Sequence, residues 1–252
     1  KGVINSLALD SGVFSLQKSQ INKTADELFT ALCAFAALNK EKFDLVFNFD
    51  LEFGLESFDI NMEYLVEMES EGIPAVPVVH NIYNDEVEQL IDLGHKVIAI
   101  GQCRGRTQLA NLEKPVRKMH EAGVRVHLFG STSYRLLADL PIWSCDSSSW
   151  VQYAKYGIVQ FWNPAKDVQP GEDHTDRIYF PEFEGQADDN EYYYRDYAHR
   201  SLFEAHLDQY GITLDDLLGL ESQHYRSLVN ILYFLQLEDI ITARHLMFGW
   251  RF

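Results

Sequence analysis

Short, nearly uninterrupted apolar runs recur along this chain with amphipathic stretches between them, and that alternation constrains the fold more than any other feature. The runs are SLALD (6–10), FDLVFNFD (43–50), IPAVPVVH (73–80), KVIAIG (96–101), VRVHLFG (124–130), the segment into Cys145, and GIVQFW (157–162). A strand apolar on both sides needs cover on both faces, which a parallel sheet between helices provides. The intervening stretches read as helices. TADELFTALCAFAAL opens with Thr24 and Glu27 spaced as a capping box. FDINMEYLVEMESEG, NDEVEQLIDLG and LEKPVRKMHEAG stop on Gly72, Gly94 and Gly123. Such alternation gives either a doubly wound sheet or a (β/α)8 barrel. DSGVFS after the first run lacks the G-x-G-x-x-G turn of a dinucleotide-binding sheet, and 252 residues suit a barrel. The expectation is an α/β chain, a (β/α)8 TIM-type barrel lacking one N-terminal strand, with a C-terminal helical extension and an acidic insertion. Residues 1–165 form the main part of the barrel in this reading, and residues 166–252 the acidic insertion and closing helices of the same domain. HRSLFEAHLDQYG, TLDDLLGLES and YRSLVNILYFLQLEDIITARHLM are the closing helices.

Charge and cysteine usage narrow the function classes. Twenty-one basic and 38 acidic residues give a net charge of −17, which counts against broad affinity for phosphate backbone. The excess concentrates in 171–200, where nine Asp or Glu face three Arg. Cys33, Cys103 and Cys145 form no C-x-x-C pair, which argues against a disulfide scaffold or a zinc site and fits a reducing, cytoplasmic compartment. No run approaches a membrane span, and no charged start leads into an apolar segment. The start at Lys1, without Met, reads as a trimmed chain lacking an upstream element.

Barrel chemistry sits at the C-terminal ends of the strands. Those ends carry Asp10, Asp50, His80, Gly101 with Gln102, Gly130 and Asp146. Carboxylates and an imidazole ending successive buried runs are costly unless paired or used. Each alone reads as a cap or loop hydrogen bond; as a set on one rim they read as a site. Phe14 is placed to stack on a flat ligand or to pack in the core, and His127 lies inside an apolar strand. Trp143 reads as packing, and Trp150 as either packing or a dry wall beside Asp146. Tyr192, Tyr193 and Tyr194 beside Arg195 read as a solvated or partner-facing loop.

These motifs also carry a resemblance. LALDSGVFSL is similar to the D-S-G-G-F-Q signature of the tRNA-guanine transglycosylase superfamily. VFNFDLEFG takes the place of its second aspartate motif, PVVHNIYNDEVEQLI of its V-Q-G-G strand, and VIAIG of its glycine-bearing base-binding strand. VHLFGSTSYRLLADLPIWSCDSSSW resembles the final stretch, where H-x-x-G precedes the nucleophilic aspartate. The spelling D-S-x-S-W looks closest to the DNA-modifying, DpdA-like branch, and the resemblance spans roughly residues 7–162. It implies Asp146 as nucleophile and Asp10 as general acid and base. It places Asp50, His80, Gly101, Gln102, Phe14 and His127 around the base. The implied partners are nucleic acid, DNA favoured over tRNA, and a guanine or 7-deazaguanine base, with no membrane; a homodimer is compatible. No cofactor is implied. The family's C-x-C-x-x-C zinc cluster is absent, so no metal is carried over, and His80 stands where the tRNA enzymes have Gln. A nucleoside hydrolase using the same aspartates, favoured by the charge, and a non-catalytic partner subunit are the competing classes. Retention of Asp10, Asp50 and Asp146 argues against the second.

Overall fold

A computed structural model describes residues 6–13, 22–54, 57–181 and 192–252. The chain divides into two compact units, one comprising 1–131, 140–146 and 252, the other 132–139 and 147–251.

In the first unit the apolar runs become parallel strands: β1 (Ala8–Leu9), β2 (Leu45–Phe47), β3 (Ala75–Val76), β4 (Val78–Val79), β5 (Val97–Ile100), β6 (Arg125–Leu128) and β7 (Ser144–Cys145). They form two parallel sheets, ordered β1-β2-β3 and β4-β5-β6-β7. Pro77 is where one sheet hands over to the other. Proline has no N–H to give a ladder, but its carbonyl accepts from Ala99 N–H at 2.9 Å, and the preceding Val76 carbonyl accepts from Asn48 N–H at 2.9 Å. The run 73–80 thus pairs with β2 before the proline and with β5 after it, and spatial neighbours remain sequence neighbours throughout.

Helices α1 (Ala25–Asn39), α2 (Phe58–Ser70), α3 (Glu86–Asp92) and α4 (Leu109–Glu121) connect these strands. The predicted capping box of α1 is present: Thr24 N–H donates to Glu27 Oε2 at 2.8 Å, and Glu27 N–H to Thr24 Oγ1 at 3.2 Å, an arrangement worth about 1 kcal/mol. Gly72, Gly94 and Gly123 end their helices at positive φ. Burial on both faces is visible in β2. Val46 packs with Phe29, Leu32, Leu65 and Met68, whereas the next residue, Phe47, packs with Val76, Val78 and Ala99, as the twofold side-chain period of a strand requires.

The second unit holds α5 (Tyr134–Asp139), α6 (Ser149–Lys155), β8 (Ile158–Trp162), β9 (Thr175–Tyr179), β10 (Tyr192–Tyr193), α7 (Arg200–Asp208) and α8 (Gln223–Met247). β8 and β9 are antiparallel, β9 and β10 parallel. This corrects the expectation for 171–200, part of which is a central strand rather than a surface insertion. Within TDRIY, Asp176 and Ile178 point inward; the Oδ2 of the buried Asp176 accepts from Asn163 Nδ2 at 2.7 Å and Tyr197 OH at 2.6 Å, and Lys166 Nζ forms an ion pair with its Oδ1 at 3.2 Å. TLDDLLGLES is likewise not a regular helix. It forms two 3-10 turns, Asp215–Leu217 and Leu220–Ser222, because Gly219 between them has φ +87°. Arg226 of α8, 0% exposed, bridges this segment to α6 by donating to the carbonyls of Leu217, Gly219 and Ala154. Among the described residues no helix is long and apolar enough to cross a membrane.

Candidate active site at the strand ends

Parallel strands in chain order bring their C-terminal ends to one edge, so the polar residues that follow them share a rim. Asp10 follows β1 directly, His80 follows β4, Gly101 follows β5 and Asp146 follows β7; Asp50 lies three residues beyond β2, and Gly130 two beyond β6.

His80 and Asp50 form one half of the rim. His80 Nε2 lies 2.9 Å from Asp50 Oδ2, its Nδ1 lies 3.3 Å from the Gln102 carbonyl, and the Phe53 ring stacks on it with centroids 5.0 Å apart. Both ring nitrogens therefore face oxygen atoms of the protein, and at 3% exposure the ring orients Asp50. Among the described residues Asp50 Oδ1 has only the Ser11 hydroxyl, at 3.5 Å, and keeps capacity to accept from a ligand N–H. Gly101 is required by this packing: a Cβ there would sit 2.6 Å from Val78 Cγ1 and 2.7 Å from His80 Cε1. The room it leaves is filled by His80, whereas the sequence reading left it for the base. Gln102 is exposed, and the group it contributes to this cluster is its carbonyl.

Sequence reasoning missed the residue that fixes this corner. Glu86, 1% exposed at the start of α3, accepts from the backbone N–H groups of His80 and Asn81, both at 3.0 Å, through Oε2, and from Asn84 Nδ2 at 3.2 Å through Oε1. Its only sequence signal is an acid in the first turn of a helix.

Asp146 forms the other half. Its Oδ1 accepts from Gly130 N–H at 2.9 Å, and His127 Nε2 stands 3.5 Å away, long for a hydrogen bond but within ion-pair reach. His127 is buried between Phe47 and Phe129, and its Nδ1 meets Ser144 Oγ at 2.9 Å. The structure thus places His127 behind the carboxylate. Loss of solvent works to raise the Asp146 carboxyl, but His127 and the Gly130 N–H outweigh it and hold the group below the ordinary carboxylate range. Asp10 moves the other way. Loss of solvent, then the negative charge of Asp50 and, more weakly, of Asp146 raise it, against the Ser11 N–H at 2.9 Å and that of Gly12. Two carboxylates in one field with opposite shifts is the arrangement that separates an acid from an anionic nucleophile.

Phe14 lies outside the described residues. Trp143 packs beneath the Arg125 guanidinium, 4.5 Å from the ring centroid, as expected of a packing residue. In the second unit, Tyr192 and Tyr193 form β10 and Tyr194 is buried against Phe180, which corrects the reading of the stretch as a solvated or partner-facing loop for Tyr194, while Tyr192 stays exposed. Burial pushes the Cys103 thiol up to about 11, so it is no thiolate nucleophile. Among the described residues no group of three or more His, Cys, Asp or Glu side chains is placed to hold a metal ion. No protein-family model matches this chain, and no curated protein matches it.

Proposed function

We propose that this chain is a transglycosylase that exchanges guanine in nucleic acid, DNA favoured, for a 7-deazaguanine base through a covalent aspartyl-glycosyl intermediate, and that its parallel strands are the main arc of a (β/α)8 barrel. The observation that carries the reading is the placement of Asp10, Asp50 and Asp146 after successive parallel strands, with Asp50 held by His80 at 2.9 Å and Asp146 by the Gly130 N–H at 2.9 Å; the opposite displacement of Asp10 and Asp146 agrees with it. Asp146, kept anionic, attacks C1′ of the target nucleotide as the bond to guanine breaks, and Asp10, which holds its proton to higher pH, donates it to the departing base. The incoming base returns that proton to Asp10, attacks C1′ and releases Asp146. Asp50, steadied by His80, accepts from the N–H edge of the base.

The net charge of −17 favours a second reading, a hydrolase in which water releases the base from a free nucleoside. Exchange on tRNA is the third. Guanine-labelled DNA, tRNA and guanosine, each incubated with and without a 7-deazaguanine base, separate the three by which one loses label and whether loss needs the incoming base. With DNA and no incoming base, the native protein should form a denaturation-resistant adduct that Asp146→Asn cannot form. An adduct with Asp146→Asn, or exchange at the native rate, would remove Asp146 from the mechanism.

A further inference from the structure

In the strand-to-helix loops of the first unit, the cations among the described residues are Lys23, Arg104 and Arg106. Two of the three lie in the single loop after β5. In a chain of net charge −17, neither arginine has a carboxylate partner within ion-pair distance among the described residues. On α4 and at the start of β6, Arg117 pairs with Glu113, Lys118 with Glu88, and Arg125 lies over Trp143.

The loop is held in place. Gly105, between the two arginines, has φ +82°, and a Cβ there would collide with the Tyr83 hydroxyl and stand 2.6 Å from Asn111 Nδ2. Gln108 N–H donates to the Gly105 carbonyl at 2.9 Å, and Asn111 Nδ2 to Gln108 Oε1 at 2.7 Å. The Arg106 guanidinium lies against Gly130, where a Cβ would meet Nη2 at 3.4 Å, Cζ at 3.8 Å and Nη1 at 4.0 Å. Gly130 is the residue whose N–H holds Asp146. A guanidinium with no carboxylate partner among the described residues therefore lies against the residue whose N–H holds the carboxylate assigned to C1′.

A nucleotide whose C1′ meets Asp146 carries its phosphates one sugar away, and a guanidinium fork matches phosphate oxygens in a way that a nucleoside alone cannot use. We propose that Arg106, with Arg104 beside it, takes a phosphate of the substrate nucleotide and is the residue by which this site distinguishes phosphate-bearing guanosine from the free nucleoside. The proposal rests on the transglycosylase reading for the placement of the sugar.

Binding of a single-stranded oligodeoxynucleotide with one guanine, measured from about 50 to 200 mM salt, tests it. Arg106→Ala should weaken binding about tenfold or more at low salt, the loss of one charge-assisted contact, and reduce the salt slope by about 0.7, the value for one phosphate on a single strand. Arg106→Lys should keep the slope. Unchanged thermal midpoints show that both variants are folded. Guanosine 5′-monophosphate as competitor separates the sources of phosphate: a tenfold loss for the mononucleotide equal to that for the strand supports the contact and assigns it to a mononucleotide, and a loss confined to the strand assigns it to the backbone. A native slope in Arg106→Ala, or no binding of either ligand by the native protein, overturns the proposal. If the slope drops but no adduct forms with the native protein, base exchange is wrong and the phosphate contact stands; if the adduct forms and the slope is unchanged, the reverse holds.

Discussion

The backbone N–H of Gly130 holds Asp146 Oδ1 at 2.9 Å, so the end of one strand fixes the carboxylate that its neighbour supplies. A main-chain donor cannot rotate away, and it favours the anion. Because the folded-state value of Asp146 is lowered, its contribution to stability is present above the ordinary carboxylate range and is lost as pH falls through the folded value.

Asp10 has the opposite sign. Its raised value means that its contribution is present in acid and is lost as pH rises through the folded value, above which the carboxylate charge stands unfavourably beside Asp50 and Asp146. Asp10→Asn should therefore raise the melting temperature at pH 7, and the gain should shrink toward about pH 4, within the ordinary carboxylate range, as protonation of the native carboxyl removes the repulsion. Melting curves of both proteins at the two pH values check this. A variant less stable than native at pH 7 would show that the repulsion is not there.

Gly101→Ala should cost about 1 to 3 kcal/mol, the penalty for inserting a methyl into a closed core. The added Cβ would overlap Val78 and His80, so His80 must swing off Asp50. Chemical denaturation gives the stability loss. A neutral result would mean that the space beside His80 is open.

Glu86→Ala should be more costly than an ordinary helix-start substitution, about 2 to 4 kcal/mol, because the buried N–H groups of His80 and Asn81 lose their acceptor together. Glu86→Gln, which keeps an acceptor oxygen, should recover part of the loss. Equal denaturation midpoints for the two variants would place the effect in packing alone.

The strand ends are legible in the sequence because the order of the apolar runs becomes the order of the strands, and a parallel arrangement leaves the following polar residues on one edge. The capping box of α1 is legible for a different reason, since Thr24 and Glu27 need only each other. Elements that depend on distant partners are not. Asp176 reads as a surface acid until Asn163, Lys166 and Tyr197 surround it, so β9 is hidden in a stretch whose charge points outward. In TLDDLLGLES the apolar spacing is helical, but a single positive-φ glycine overrides it. Glu86 is missed because its role comes from the backbone N–H groups it accepts from, and the two loop arginines because their presentation depends on the turn at Gly105.

The chain leaves the first unit at residue 132, returns for 140–146 and leaves again at 147. The excursion carries α5, whose Asp139 meets Arg244 at a separation of 105 residues and whose Leu137 carbonyl meets His245 at 108. A helix of six residues has no stability of its own in water. On a ribosome adding about 5 to 20 residues per second, α5 emerges roughly 5 to 20 s before the end of α8 that anchors it. A nascent chain holding a finished rim around Asp146 must carry this helix unmoored for that interval, and no contiguous fragment of the gene encodes either unit whole without part of the other.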